Sequence, residues 1–176
     1  MSEAGIQTGI ARARASTALG ATREGPPAVD EAAVRAALAE VMDPELPVLS
    51  IVDLGIVHRV TVGPDGIDVA FLPTFVGCPA LDIIRAAIVD RLAVFSLRVR
   101  AEATFDVPWT SDRISPAALD ALARVGIAPP CPADQVRCPI CTSPDVVMDG
   151  LFGPTQCRSL YYCRACRQPF EALKVV

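Results

Sequence analysis

The 176-residue chain is expected to adopt an α+β fold, a small α-β-β-α-β domain with a mixed sheet and helices on one side, followed by a small metal-bound β ribbon. Three observations point there. Apolar spacing switches between the helical period near 3.6 and the strand period of 2 up to about residue 126. The run Pro129-Pro130-Cys131-Pro132 then breaks regular structure. Six of the seven cysteines stand at or beyond that break. The expected boundaries are an arm over residues 1–27, an α/β domain over 28–128, a linker over 129–137 and a four-cysteine ribbon over 138–176.

The arm is rich in Ala, Gly, Ser, Thr and Arg and ends in Gly25-Pro26-Pro27, a composition that resists folding. Asp30 can cap a helix in which Val34, Leu38, Val41 and Met42 share one face, and Asp43-Pro44 stops it. IVHRVTV and IDVAFL flank Gly63-Pro64-Asp65-Gly66, a hairpin signal. Pro79 suits a first helical position, which would place Cys78 at the N-cap. Behind it Leu81, Ile84, Ile88 and Leu92 repeat on one face, joined by Ile83 and Ala87. Leu97, Val99, Ala101, Ala103 and Phe105 alternate with polar residues, as in a strand with one wet face. Ser115-Pro116 opens a last helix, which Gly126 closes.

Composition narrows the function classes. Just over half the residues are apolar and the net charge is −4, so the chain offers nucleic acid or an anionic membrane no general attraction. The N-terminal residues lack a signal-peptide apolar run, and apolar stretches elsewhere are cut by charges such as Arg85, Asp90 and Arg91. A cytoplasmic protein is expected, without membrane or nucleic-acid partners. In a reducing compartment clustered cysteines serve metals or redox chemistry more often than disulfides.

The tail carries Cys138-Pro-Ile-Cys141 and, after twenty-one residues, Cys163-Arg-Ala-Cys166. A C-x-x-C turn aims two thiolates at one ion, and two turns complete the tetrahedral shell that structural zinc prefers; iron suits the same cage. So short a segment cannot build a sufficient core, and a metal would supply the missing folding free energy. Cys157, six residues before Cys163, reads as a spare thiol, a substitute ligand or a redox-sensitive group, and Cys131 as a linker thiol. Arg158, Arg164, Arg167 and Lys174 are offset by Asp145, Asp149 and Glu171, which argues against a nucleic-acid surface.

Cys78 stands alone. At a helix start its pKa is expected to fall, making it a nucleophile or a metal ligand; the alternative is a thiol packed under the helix. Nucleophilic catalysis needs a base, and the only histidine, His58, lies inside a strand segment, where a packed or surface role is usual. A metal or cluster on one cysteine needs further ligands: a second chain, an external thiol, or nearby carboxylates, for which Asp43, Glu45 and Asp53 are candidates. Thr74 can offer a hydroxyl at the same helix end.

Asp43-Pro44-Glu45-Leu46-Pro47, Ile51-Val52-Asp53-Leu54-Gly55 and Pro73 to Ala80 (PTFVGCPA) resemble the three signature stretches of the MIP18 (DUF59) iron–sulfur assembly family, over about residues 30–106. The tail, with CPIC, FGPTQC, YYCRAC and QPFEALK, is similar to the PaaD (PaaJ) branch associated with bacterial phenylacetyl-CoA 1,2-epoxidase. The resemblance implies a non-enzymatic accessory factor in phenylacetate degradation that assists insertion of iron or an iron–sulfur cluster, held transiently at Cys78. Its implied partners are the oxygenase subunits, their iron–sulfur flavin reductase and a second copy of the chain. The alternative is a non-catalytic scaffold that holds oxygenase components together. None of the Glu and Glu-x-x-His helix motifs of a di-iron site is present. Pro154 and the ending Lys174-Val175-Val176, without a terminal cysteine, depart from the branch pattern.

Overall fold

The computed structural model describes residues 29–75 and 77–176; the arm expected over residues 1–27 lies outside the described residues. Helix α1 (Glu31–Leu38) begins as predicted, with the Asp30 carboxylate accepting the Ala33 N–H at 2.8 Å. It ends a turn early. The Asp43 N–H donates to the Leu49 carbonyl and the Ile51 N–H to the Val41 carbonyl, both at 2.9 Å, so this backbone pairs with residues 49–51 instead of continuing the helix. Val41 stays in the core, whereas Met42 is exposed, contrary to its expected place on the buried face.

Strands β1 (Val57–Gly63) and β2 (Gly66–Phe71) form the predicted antiparallel hairpin about Pro64-Asp65. The chain then crosses through α2 (Leu81–Leu92) to β3 (Val99–Ala103), which lies parallel to β2. The resulting β1-β2-β3 sheet is mixed. Val60, Ile67, Val69, Phe71 and Ala101 on its inner face join Val34 and Leu38 of α1 and Ile84, Ile88 and Leu92 of α2 in one core. Arg59, Asp68, Arg100 and Glu102 occupy the opposite, wet face.

Besides Met42, two expected core residues lie outside. Ile83 is 59% exposed because the buried stripe of α2 runs through Ile84, Ile88 and Leu92, and its neighbour in sequence is turned about 100° away. Phe105 is 64% exposed. The Thr104 N–H still reaches the Phe71 carbonyl at 2.8 Å, but β2 ends there, and the alternation ends with it.

Helix α3 (Pro116–Arg124) has the predicted Ser115 cap and proline start, with Ser115 Oγ accepting the Ala118 N–H at 3.1 Å. Gly55 lies against the turn before it. Its φ is +65° and a Cβ there would stand 2.4 Å from Arg113 Cβ and O, so both backbone and space demand glycine. Directly after α3, the short β4 (Ile127–Ala128) runs parallel to β7 (Pro169–Leu173). The second sheet, β4-β7-β6-β5, is completed by β5 (Val146–Gly150) and β6 (Arg158–Cys163). Its own core holds Val136, Tyr161 and Phe170, the two rings stacked at 5.6 Å. Leu173 and Cys157 instead join the core of the first domain. The ribbon is therefore docked on the α/β domain.

Candidate functional site

The two C-x-x-C turns are built alike. In the first, the Thr142 N–H donates to the Cys138 carbonyl at 2.8 Å and the Cys138 N–H to the Ser143 carbonyl at 3.0 Å. In the second, the Arg167 N–H donates to the Cys163 carbonyl at 2.8 Å and the Cys163 N–H to the Gln168 carbonyl at 2.9 Å. Both turns pass through a left-handed residue just after the second cysteine, Thr142 at φ 61° and Arg167 at φ 60°. Neither is a glycine or asparagine, so nothing in composition marks them.

The knuckles bring Cys138 Sγ to 3.6 Å from Cys166 Sγ and Cys141 Sγ to 3.6 Å from Cys163 Sγ. All four sulfurs lie within 4.8 Å of one another. A tetrahedral ion with Zn–S bonds near 2.3 Å requires sulfurs about 3.8 Å apart, and the set fits it. The thiols differ as neighbours in a shared shell must. The Cys166 N–H, foremost, lowers Cys163 to about 7, while burial and then the adjacent thiols push Cys166 up to about 12. A divalent cation supplies the charge that lets all four ionise.

The second site lies between the domains. Asp43 and Glu45 from the loop after α1, Thr74 and Cys78 from the loop after β2, and Cys157 from the start of the ribbon hairpin line one small cavity of about 20 Å³. Glu45, Thr74, Cys78, Thr155 and Cys157 line an adjoining one of similar size. Gly77 at φ +83° turns the chain just before Cys78, and the Cys78 N–H donates to the Phe75 carbonyl at 3.1 Å.

Cys78 is not the helix N-cap. Helix α2 begins at Leu81 with Ala80 as its cap, two residues later than the Pro79 signal suggests. Nor is the Cys78 thiol acidified. Burial pushes its pKa up, the Ala80 N–H pulls it partly back, and Asp43, Cys157 and Glu45 add to the rise. The helix-end effect expected from sequence is lost to desolvation and negative neighbours.

The carboxylates divide. Asp43 is 7% exposed; its Oδ1 accepts the Glu45 and Leu46 N–H groups, each at 2.9 Å, while burial raises its pKa. Glu45 sits at the cavity edge. Asp53 lines neither cavity; it accepts from Ser50 at 2.7 Å and Ser115 at 3.3 Å, tying the Ile51–Gly55 loop to α3. Cys131 faces a separate ribbon groove, and His58 lines neither thiol cavity.

Sequence reasoning misses Arg158, which counts there among surface charges. Arg158 is buried, its Nη1 donating to Glu171 at 2.5 Å, Nε to Thr155 Oγ1 at 2.9 Å and Nη2 to the Glu45 carbonyl at 3.5 Å. It thereby joins the ribbon to the Asp43–Pro47 loop. Thr155 Oγ1, already accepting from Arg158, lies 3.1 Å from Cys157 Sγ. Trp109, whose Nε1 donates to the Leu54 carbonyl at 2.8 Å, closes the cavity floor. Its being the single tryptophan is the one signal that could have found it.

Comparison with known proteins matches both parts. Residues 31–104 fit a family model described as iron–sulfur cluster assembly protein, and residues 127–174 fit one described as PaaD zinc beta ribbon domain. The chain is 38% identical over 159 residues to an Escherichia coli K12 protein named as a putative 1,2-phenylacetyl-CoA epoxidase component, covering 86% of this chain and 95% of that one. Among solved structures, a DUF59 domain from Bacillus anthracis is 30% identical with a TM-score of 0.49, covering 52% of this chain and 90% of its own. A conserved hypothetical protein of Thermotoga maritima is also 30% identical, with a TM-score of 0.46, over 52% of this chain and 92% of its own. Carrying an iron–sulfur assembly domain and a PaaD zinc ribbon in one polypeptide, with the Escherichia coli relative matched along nearly its whole length, the chain belongs to the PaaD family.

Proposed function

We propose that this protein is an accessory maturation factor of a phenylacetyl-CoA epoxidase system, holding iron or an iron–sulfur unit at Cys78 and passing it to oxygenase or reductase subunits. It does not itself catalyse epoxidation. One observation carries the reading: Cys78 lies with Asp43 and Glu45 in an interdomain cavity, separate from the four-thiol ribbon set. A carrier needs a ligand set that is incomplete, so that a client can take over the cargo; a structural site needs one that is complete. The ribbon metal stabilises the small sheet, and the ribbon docks through Arg158. Expression of the epoxidase components with Cys78→Ala in place of the wild type should leave ribbon zinc intact and lower the iron content of the purified partners. Unchanged partner loading would rule the mechanism out.

A second reading, a scaffold, is favoured by an apolar groove of about 460 Å³ beside the Cys78 loop, lined by Pro73, Phe75, Phe105, Trp109 and Val176. Exposed aromatic surface of this kind suits a protein partner. A scaffold predicts a stable complex and normal partner loading with Cys78→Ala. It also predicts loss of the complex with Phe105→Glu.

A further inference from the structure

Cys157 has no part in the four-thiol set, yet it does not behave as a spare. It packs against the α/β core and shares two adjoining cavities with Cys78, although the two residues come from different domains. The ribbon is fixed there by Arg158, which holds Thr155, and Thr155 in turn holds Cys157. Because Thr155 Oγ1 already accepts from Arg158, its own hydrogen is free to point at Cys157 Sγ. Asp43, nine-tenths buried on the same cavity, uses only Oδ1; among the described residues Oδ2 receives no hydrogen bond. Asp43 thus brings a carboxylate oxygen with no direct donor to a cavity shared by two thiols, with the Arg158 guanidinium acting on it only from a distance.

We propose that Cys78 and Cys157 are the two thiolate ligands of a single ferrous ion carried as cargo across the domain interface, with the Asp43 carboxylate as a third donor. This rests on the maturation reading and specifies it. The ligand atoms form no closed set like that of the ribbon, so rotamer changes must draw them together and the site stays open to a client. The cargo is taken as one ion because the cavity at rest, about 20 Å³, has room for one water-sized species and the adjoining one is no larger. On binding, the two thiols form Fe–S bonds and release two protons to solvent; on transfer, client ligands displace the thiolates, which take protons back. No oxidant or reductant is consumed.

The test uses the full-length, zinc-loaded protein under anaerobic conditions, titrated with ferrous ion and then alkylated, with each cysteine mapped by mass spectrometry. The expected result is one iron per chain and protection of Cys78 and Cys157 together, with Cys131 labelled as before. Cys78→Ser and Cys157→Ser should each weaken binding by more than the roughly 10- to 100-fold that loss of an outer-shell partner costs. Zinc content and melting should stay unchanged. Protection of Cys78 alone, with Cys157→Ser binding iron as the wild type does, would overturn the shared site and leave the maturation reading standing. Iron taken up only with sulfide in multinuclear stoichiometry would overturn the single-ion cargo. No iron bound in any protein would overturn both.

Discussion

The ribbon knuckles and the interdomain cavity both gather thiols, and they do so in opposite ways. In the ribbon, two copies of one turn hold four sulfurs within 4.8 Å by local backbone hydrogen bonds, so the site is complete before any partner arrives. In the cavity, Cys78 and Cys157 are brought together only because two domains dock, and the polar groups beside them are carboxylates and threonine hydroxyls among apolar side chains such as Leu46 and Trp109. Local, closed geometry suits permanence; assembled, open geometry suits exchange.

The sharpest way to break this contrast is to open the closed site. Cys163→Ser, or prolonged chelation, should release the ribbon metal and unfold residues 138–173. Structural zinc contributes on the order of 10 kcal/mol or more in small metal domains. Hydrogen exchange should show β5 to β7 losing protection while β1 to β3 keep theirs. Loss of the first sheet as well would make the two parts one folding unit.

Next in size is Arg158→Met. Arg158 is buried and pairs with Glu171, whose side chain keeps a quarter of its surface in water, so the cost should be about 3 kcal/mol, the low end for a broken buried pair. A urea midpoint measures it. Ribbon zinc should remain, while Cys157 should become more reactive to alkylation as the domains loosen. Gly77→Ala should cost about 1–2 kcal/mol because φ is +83°, with no steric clash, since nothing lies within 4 Å. Its effect should fall on Cys78 placement and leave the ribbon metal unchanged, as thermal melting and zinc analysis would show.

The smallest stability effect should come from Asp43→Asn, and it should have the opposite sign. Burial raises the Asp43 pKa above 3.8, so the folded state disfavours the charged form. Stability is lost as pH rises from the unfolded value through the raised folded one, and the penalty is complete above that. The asparagine variant keeps an oxygen for the Glu45 and Leu46 N–H groups. It should therefore be at least as stable as the wild type at pH 8, with the advantage shrinking as pH falls through the raised folded value toward 3.8, zinc retention being checked throughout. A carboxylate kept at a cost in stability is the signature of a ligand; a destabilised variant at pH 8 would mark Asp43 as purely structural.

Much of the frame is legible in the sequence. The hairpin, the Asp30 and Ser115 caps and the 2-to-3.6 changes of period are local signals, and local hydrogen bonds decide them. The C-x-x-C pairs are legible for the same reason. The early end of α1 is not, because residues 41–43 pair with residues 49–51 and no single window contains that competition. The direction of the Cys78 shift escapes a local reading in the same way: helix position is local, but burial and the approach of Asp43 and Cys157 are tertiary. Arg158 and Cys157 take their meaning from docking, which spacing does not encode.

The most direct measurement is a chelator challenge of anaerobic protein loaded with zinc and ferrous ion, following each metal over time in wild type and Cys78→Ala. The account predicts that zinc stays while iron leaves quickly from the wild type, and that the variant takes up no iron while keeping its zinc. Iron retained as tightly as zinc, or iron bound equally by Cys78→Ala, would contradict the division between a closed structural site and an open carrier site.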